Sequence, residues 1–313
     1  MAGKMVRVAA VQAAPVFLDR DGSVEKTVRL VAEAAGRGAK VIGFGETFIP
    51  GYPAWLDLSP GAALWDHPPM KRVHARLAEN SITIPGPETD RLGKAAREHG
   101  VVVVIGVHER VRGGAGHGTL YNSQIIFGAD GSNLSRHRKL VPTHAERLAW
   151  GQGDGTGLAA VPTEAGRVGT LICWEHWMPL ARQVMHESAE EIHVAAWPAV
   201  HDMHLVASRH YAFEGRCFVL AVGQIIAARD LPPEVELPAD LAGKPESLLY
   251  DGGSCIIGPD GMVVAGPIFG REEILIADLD LGRIAEESMA LDVTGHYSRP
   301  DLFTLTLRPH QGK

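Results

Sequence analysis

The chain has 313 residues, 45% of them hydrophobic and 21% charged, which is enough apolar material for a large buried core. Its formal net charge of −7 has the wrong sign for a general nucleic-acid footprint and favours a small or neutral substrate. No run reaches the roughly 18 uninterrupted apolar residues that a membrane span needs, and the three cysteines, Cys173, Cys217 and Cys255, can neither all pair internally nor form a C-x-x-C motif, so a reducing cytoplasm is expected.

Residues 6–13 form a short apolar segment that reads as a first buried strand. The stretch 5–14 holds Arg7 and Gln12 and is too short and polar for a signal peptide. Val24, Val28, Val31, Ala32 and Ala35 recur at helical spacing until Gly36 and Gly38 stop the helix. A second buried strand, 41–45, is closed by Glu46. Leu92, Ala95 and Ala96 mark a helix ending at Gly100, and the β-branched run 101–107 suits a strand covered on both faces. A strand at 121–127 turns at 128–131 into a partner. Residues 168–172 form another strand, followed by a helix over about 179–189, a strand at 192–196, a helix over 203–216 and a strand at 218–226. Residues 255–258 and 262–265 flank Pro259-Asp-Gly261 as a hairpin, and 274–279 is the last strand. The Pro-, Asp- and Glu-rich segment 228–247 reads as an excursion loop, not a linker. Strands alternating with helices imply stacked layers, either two sheets packed face to face with helices outside or one doubly wound sheet. One domain over 1–313 is expected, with a short tail after about 303.

Cys173 ends the strand 168–172 just before a helix, and a residue at the carboxyl end of a buried strand is delivered into the cleft where such sheets bind ligands. Backbone N–H groups beyond it can lower a thiol pKa and bind an oxyanion. A small buried core residue is the alternative reading. Cys217, in a helical stretch, and Cys255, in a strand, read as packing residues. Glu46 at its strand end is either a partly buried general base or an exposed carboxylate. Lys139, in the basic run 136–139, is either solvated or turned inward to stabilise developing negative charge. Glu146 could face a helix dipole. Residues 151–157 lack the Lys-Ser/Thr ending of a phosphate loop and read as a flexible turn. His201 and His204 could be a metal pair but gain no third ligand at convincing spacing, so no metal is expected.

Together these residues resemble the nitrilase superfamily of carbon–nitrogen hydrolases. Glu46 stands in GETFIPGYP at 45–53, Lys139 in HRKLVP at 137–142 and Cys173 in LICWEH at 171–176. The likeness continues through ERLAWGQGD at 146–154, AAWP at 195–198 and DVTGHYSRP at 292–300, and so covers nearly the whole chain. GYPAW, CWE and the late GHYSRP are similar to the nitrilase branch more than to the amidases. The resemblance implies an α/β fold in a four-layer αββα sandwich. It also implies a Glu–Lys–Cys triad of Glu46, Lys139 and Cys173, with Glu146 as a second carboxylate that positions Lys139 or substrate, and hydrolysis of a nitrile without any cofactor. Homodimers or larger homo-oligomers are implied too, although the chain ends soon after the last motif, which speaks against long filaments. An amidase or carbamoylase on the same fold, or a catalytically silent filament or binding protein, are the rival readings. Tyr52, Trp174, Trp177 and Trp197, close to the catalytic segments in sequence, are candidates for a pocket that binds an apolar or aromatic nitrile; core packing is their alternative.

Overall fold

The computed structural model describes residues 3–308. In chain order the first part runs β1 (Met5–Gln12), α1 (Arg20–Gly36), β2 (Val41–Phe44), α2 (Trp55–Leu58), α3 (Pro68–Asn80), α4 (Pro87–His99), β3 (Val102–Arg110), β4 (Leu120–Phe127) and β5 (Asn133–Arg138). The second part runs β6 (Val161–Thr163), β7 (Gly166–Ile172), α5 (Pro179–Glu187), β8 (Ile192–Ala196), α6 (Asp202–Gly215), β9 (Phe218–Val222), β10 (Ile225–Ala227), β11 (Leu248–Ile257), β12 (Val263–Phe269), β13 (Glu273–Asp280) and α7 (Gly282–Ser288).

Among the described residues one sheet has six strands in the order β13-β1-β2-β3-β4-β5. The other has seven, in the order β10-β11-β9-β8-β7-β6 with β12 paired to β11. Each sheet keeps a parallel centre, β1-β2-β3 in one and β7-β8-β9 in the other, flanked by antiparallel strands. β13 carries the chain back to the first sheet and pairs antiparallel with β1 from Met5↔Asp280 to Gln12↔Glu273.

The two-residue period of a strand sorts the core into layers. Ala9 and Val11 of β1 join Ile42, Phe44, Val103 and Ile105 against Val24, Val31 and Ala34 of α1 and Leu92, Ala95 and Ala96 of α4. Val8 and Ala10, one residue out of phase, face the other sheet with Val41, Val102 and Val104, against Val168, Ile192, Val194, Phe218 and Leu220. On the far side Leu171, Ala195, Val219, Ala221 and Ile257 meet Ala181 and Met185 of α5 and Ala207, Tyr211 and Ala212 of α6. Helix, sheet, sheet and helix layers follow in turn, so the four-layer αββα reading holds and the single doubly wound sheet does not. Gly43 keeps the sheets close: a Cβ there would lie 3.0 Å from Val194 Cγ1.

Local signals set the helix ends. Asp19 caps α1 by accepting from the Gly22 N–H at 2.9 Å. Pro87 opens α4, and Gly100, at φ +59°, closes it in the left-handed region that glycine tolerates. α3 was not anticipated; only Val73 and Leu77 are buried on it, too sparse an apolar stripe to stand out. Cys217 needs a correction: it follows α6 and precedes β9, buried in the outer core and outside any helix. The excursion at 228–247 is largely irregular, but Leu231 and Val235 pack with Tyr52 and Trp55 near the α2 segment.

Candidate active site

Glu46 and Cys173 stand at the carboxyl ends of parallel strands in facing sheets, Glu46 just beyond β2 and Cys173 just beyond β7. Ligands gather at this end of such strands. The Glu46 segment is tied across the sandwich: its N–H donates to Trp197 O at 3.3 Å, and Gln224 Nε2 donates to its carbonyl. Gly106 on β3 leaves room for this crossing, since a Cβ there would lie 2.3 Å from Thr47 N. Cys173 has φ +53° and starts a 3₁₀ turn over Cys173–Trp177. A non-glycine residue in that region costs about 1–2 kcal/mol, strain that the surrounding hydrogen bonds must hold.

Lys139 follows β5, where alternation decides its fate. Arg136 and Arg138 turn to one face and pair with Glu109, at 3.1 Å from Arg136 Nη1 to Oε1 and 2.9 Å from Arg138 Nε to Oε2. His137 and Lys139 turn to the other face and are buried. Lys139 Nζ donates to Glu46 Oε1 at 2.8 Å and to both oxygens of Glu146 at 2.9 and 2.7 Å. Glu146 caps its own short turn, accepting from the Thr143 N–H at 2.6 Å, and also accepts from Tyr52 Oη at 2.8 Å. The Asn122 side chain of β4 donates to Glu46 Oε1 at 2.6 Å, and its backbone carbonyl accepts from the Lys139 N–H at 2.8 Å. Oε2 of Glu46 is buried and has no hydrogen-bond partner among the described residues. One ligand-capable atom each from Glu46, Glu146 and Cys173 lies within 4.8 Å of the others.

The electrostatics match a poised base beside a neutral thiol. Burial raises Glu46, the Lys139 ammonium pulls it back and Glu146 pushes it up again, leaving it at about 7. Burial also pushes the Cys173 thiol well above its ordinary value; Glu46 adds to this, while Lys139 and the Trp174 N–H favour the thiolate. Burial disfavours the Lys139 ammonium, but the attraction of Cys173, Glu46 and Glu146 outweighs it and raises its pKa. A carboxylate with a free oxygen, a neighbouring thiol and a fixed ammonium can carry out proton abstraction, nucleophilic addition and stabilisation of the charge that develops.

Glu175 joins the Lys139 and Cys173 segments. Its Oε1 accepts from the Leu140 N–H at 2.8 Å and its Oε2 from the Ile172 N–H at 2.7 Å. His137 Nε2 lies 3.0 and 2.8 Å from the same two oxygens. Burial works against this carboxylate, yet His137 and the two N–H groups hold its pKa below the ordinary value. One buried side chain thus fixes the residue after Lys139 and the residue before Cys173.

The cluster opens into a cavity of about 360 Å³ bordered by Tyr52, Trp174, Tyr250, Leu249, Pro198 and Ala199, with Asp57, His144, His201 and His204 adding polar edges. Of the four aromatic candidates, Tyr52 and Trp174 border it. Trp177 and Trp197 do not border it. Trp177 packs edge-on to Trp174 at 5.1 Å and lines a neighbouring groove. Trp197 is wholly buried, stacks on His176 at 4.8 Å and donates to Ser208 Oγ at 3.1 Å. Nearness in sequence to a catalytic segment does not say which face a ring takes. His201 and His204 border the cavity, and His201 Nε2 lies 3.0 Å from Asp251 Oδ1; among the described residues the one group of three potential metal donors is Glu46, Glu146 and Cys173, whose carboxylates already share the Lys139 ammonium. Asn122, Glu175 and Tyr250 were missed; Asn122 had a signal, as one of three consecutive buried polar residues, Asn122-Ser123-Gln124, in the strand β4.

This fold and this grouping of side chains define a carbon–nitrogen hydrolase. The Carbon-nitrogen hydrolase family model matches residues 7–287, and the chain belongs to that family, in its nitrilase branch. It is 42% identical to an aliphatic nitrilase of Sinorhizobium fredii (strain HH103) over 96% of this chain and 95% of that one. It is 40% identical to the bifunctional nitrilase/nitrile hydratase NIT4A of Lupinus angustifolius over 97% of this chain and 86% of that one. In structure it is similar to a carbon–nitrogen hydrolase from Helicobacter pylori G27, with a TM-score of 0.73 at 20% identity, covering 96% of this chain and 97% of that one.

Proposed function

We propose that the protein is a nitrilase that converts an organic nitrile to its carboxylic acid and ammonia, with Cys173 as nucleophile, Glu46 as general base and Lys139 as electrostatic stabiliser. The carrying observation is the meeting of Cys173, Glu46 and Glu146 within 4.8 Å around the Lys139 ammonium. Glu46 takes the thiol proton on its unpartnered Oε2, and the thiolate adds to the nitrile carbon. Lys139 and the Trp174 N–H stabilise the nitrogen, which receives the proton from Glu46 to give a thioimidate. Water, deprotonated by Glu46, adds to form a tetrahedral species. Loss of ammonia leaves a thioester, and a second water releases the acid and restores the thiol. Thiol and base cover every step, so no metal or organic cofactor is required.

The tetrahedral species has two exits. If the thiolate leaves in place of ammonia, the product is the amide, and the similarity to a bifunctional nitrilase/nitrile hydratase of lupin fits this branch. The cavity's tyrosines, Trp174 and Leu249 suit an apolar or aromatic nitrile. Glu146, held by Tyr52 and Thr143, keeps Lys139 between the two carboxylates.

Among the described residues no helix is long and apolar enough to cross a membrane, and the three cysteines are free and buried. We infer a single catalytic domain in a reducing cytoplasm, working as a homodimer or larger homo-oligomer. The test is ammonia release across aromatic, arylaliphatic and aliphatic nitriles, each beside its matching amide, with acid and amide products quantified. Nitriles turned over faster than the amides, with aromatic ones preferred, are expected. Turnover of amides alone would replace nitrilase with amidase, and equal rates across the nitriles would remove the aromatic-pocket reading.

A further inference from the structure

Behind the nucleophile lies a second buried group of titratable side chains that the chemistry above does not use. His176 Nδ1 is 2.7 Å from Cys173 O, His176 Nε2 is 2.9 Å from His193 Nε2, His193 Nδ1 is 2.7 Å from Glu190 Oε1, and Tyr211 Oη is 2.7 Å from Glu190 Oε2. All four side chains are buried. Gly169 of β7 makes room for Glu190, since a Cβ there would lie 2.0 Å from Oε1. Tyr211 stacks on His193 at 4.0 Å, and Trp197 stacks on His176 at 4.8 Å, so neither imidazole can turn away.

Hydrogen-bond polarity fixes the protons along this chain. The Cys173 carbonyl only accepts, so His176 Nδ1 carries a hydrogen. A neutral His176 then offers a lone pair at Nε2, and His193 Nε2 must be the donor. A neutral His193 in turn offers a lone pair at Nδ1, and Glu190 Oε1 can fill that contact only by donating. We propose that Glu190 is a neutral carboxylic acid in the working enzyme, donating to His193, and that it acts as a positioning residue ordering a proton chain that holds the Cys173 carbonyl, and with it the strained turn that starts at Cys173, in place. The rival arrangement is a carboxylate against a His193 imidazolium.

Burial favours the neutral arrangement on both sides. It raises Glu190 to about 8, against the Tyr211 hydrogen bond and the attraction of His186, and it drives His193 well below and His176 to about 3. The charged and titratable groups around the chain are Tyr211 of α6, His186 of α5, Cys217 before β9, and His137 of β5 and Glu175 of the Cys173 turn, which act on His193; Arg182 acts directly on His176 and donates to its carbonyl, and Glu214 acts on Tyr211 and contacts His186. A Glu raised in the folded state gives stability that is full below its unfolded value and is lost as pH rises through its folded value. Wild-type stability from this group should therefore fall between about pH 4.5 and 8.

E190Q separates the two arrangements, because the Gln amide can donate to His193 Nδ1 while its oxygen accepts from Tyr211. Thermal melting of wild type, E190Q and E190L is followed from pH 5 to 9, with nitrile kcat and KM and the iodoacetamide alkylation rate at Cys173. Expected for E190Q are kcat within about twofold of wild type and a melting advantage that grows with pH through that window. E190L should lose about tenfold or more in kcat with little change in KM. An E190Q that melts lower than wild type at pH 7, or loses activity as E190L does, would overturn the neutral acid. An E190L with full kcat and an unchanged alkylation rate would overturn the positioning role. The role rests on Cys173 as nucleophile, but the melting and alkylation arms need no nitrile turnover; a failed nitrile assay with these arms as expected would count against the proposed activity and leave the proton chain standing.

Discussion

Replacing Glu175 with Gln should damage the site out of proportion to the single atom changed. Both carboxylate oxygens accept a backbone N–H, from Leu140 and from Ile172, and both lie within reach of His137 Nε2. Whichever way the Gln amide turns, its NH₂ group faces one of those N–H donors. A buried donor left unpaired costs about 1–3 kcal/mol, and the lost charge-assisted bond to His137 about 1.5–3 kcal/mol, so roughly 3–6 kcal/mol is at stake. At the size dependence seen for domains, Tm should fall by roughly 5–15 °C. The freed segments carry Lys139 and Cys173, and if about half of that energy appears in the transition state, kcat falls by roughly 10- to 150-fold with KM far less affected. E175D keeps the charge and both acceptors on a shorter arm and should lose less than E175Q. Melting curves and steady-state kinetics on the three proteins decide it. An E175Q enzyme with unchanged Tm and kcat would refute the claim that this carboxylate couples the two segments.

Activity should depend on Glu46 being ionised. With its pKa raised to about 7, kcat/KM should decline as pH falls through about 7, although a free Glu would keep working to about 4.5. A pH–rate profile flat from 8 to 5 would contradict it. Tyr52→Phe removes the donor to Glu146 at 2.8 Å and should lower kcat by about tenfold, read by steady-state kinetics; an unchanged kcat would leave Tyr52 as pocket wall only. Trp174→Ala should shift KM across a nitrile panel, whereas Trp197→Phe, which loses the bond to Ser208, should lower Tm by a few degrees with substrate preference intact. The opposite assignment of effects would reverse their placement.

Most strands were legible because burial on both faces writes continuous apolar runs, as in β3, and because Gly100 and the Pro259–Gly261 turn punctuate them, but the three-residue β6 was missed and 218–226, read as one strand, divides into β9 and β10. The two-sheet arrangement was not decided by pattern, since a strand does not say which sheet it joins; β13 returns from the second half of the chain to pair with β1. Lys139 was hidden in a basic run, and only the strand alternation that turns Arg136 and Arg138 toward Glu109 leaves Lys139 facing inward. From its local sequence Glu146 read only as an acid facing a helix dipole, and the part it plays at Lys139 came from the resemblance alone; the one carboxylate both caps its turn and accepts from Lys139. The brace at Glu175 and the chain through Glu190 stayed invisible because each joins residues brought together only by packing. For Trp177 and Trp197 the sequence left pocket and core open for the complementary reason: an aromatic ring beside a candidate site segment serves one or the other according to its face, which spacing does not encode.

The central claim is that Cys173 carries the substrate covalently in the pocket it shares with Glu46 and Lys139. Acid quenching during nitrile turnover, followed by peptide mass analysis, tests it directly. The expected result is an acyl or imidoyl adduct on the peptide holding Cys173, absent from a folded Cys173→Ala variant that releases no ammonia. An adduct on another residue, or ammonia release that persists in Cys173→Ala, would contradict it.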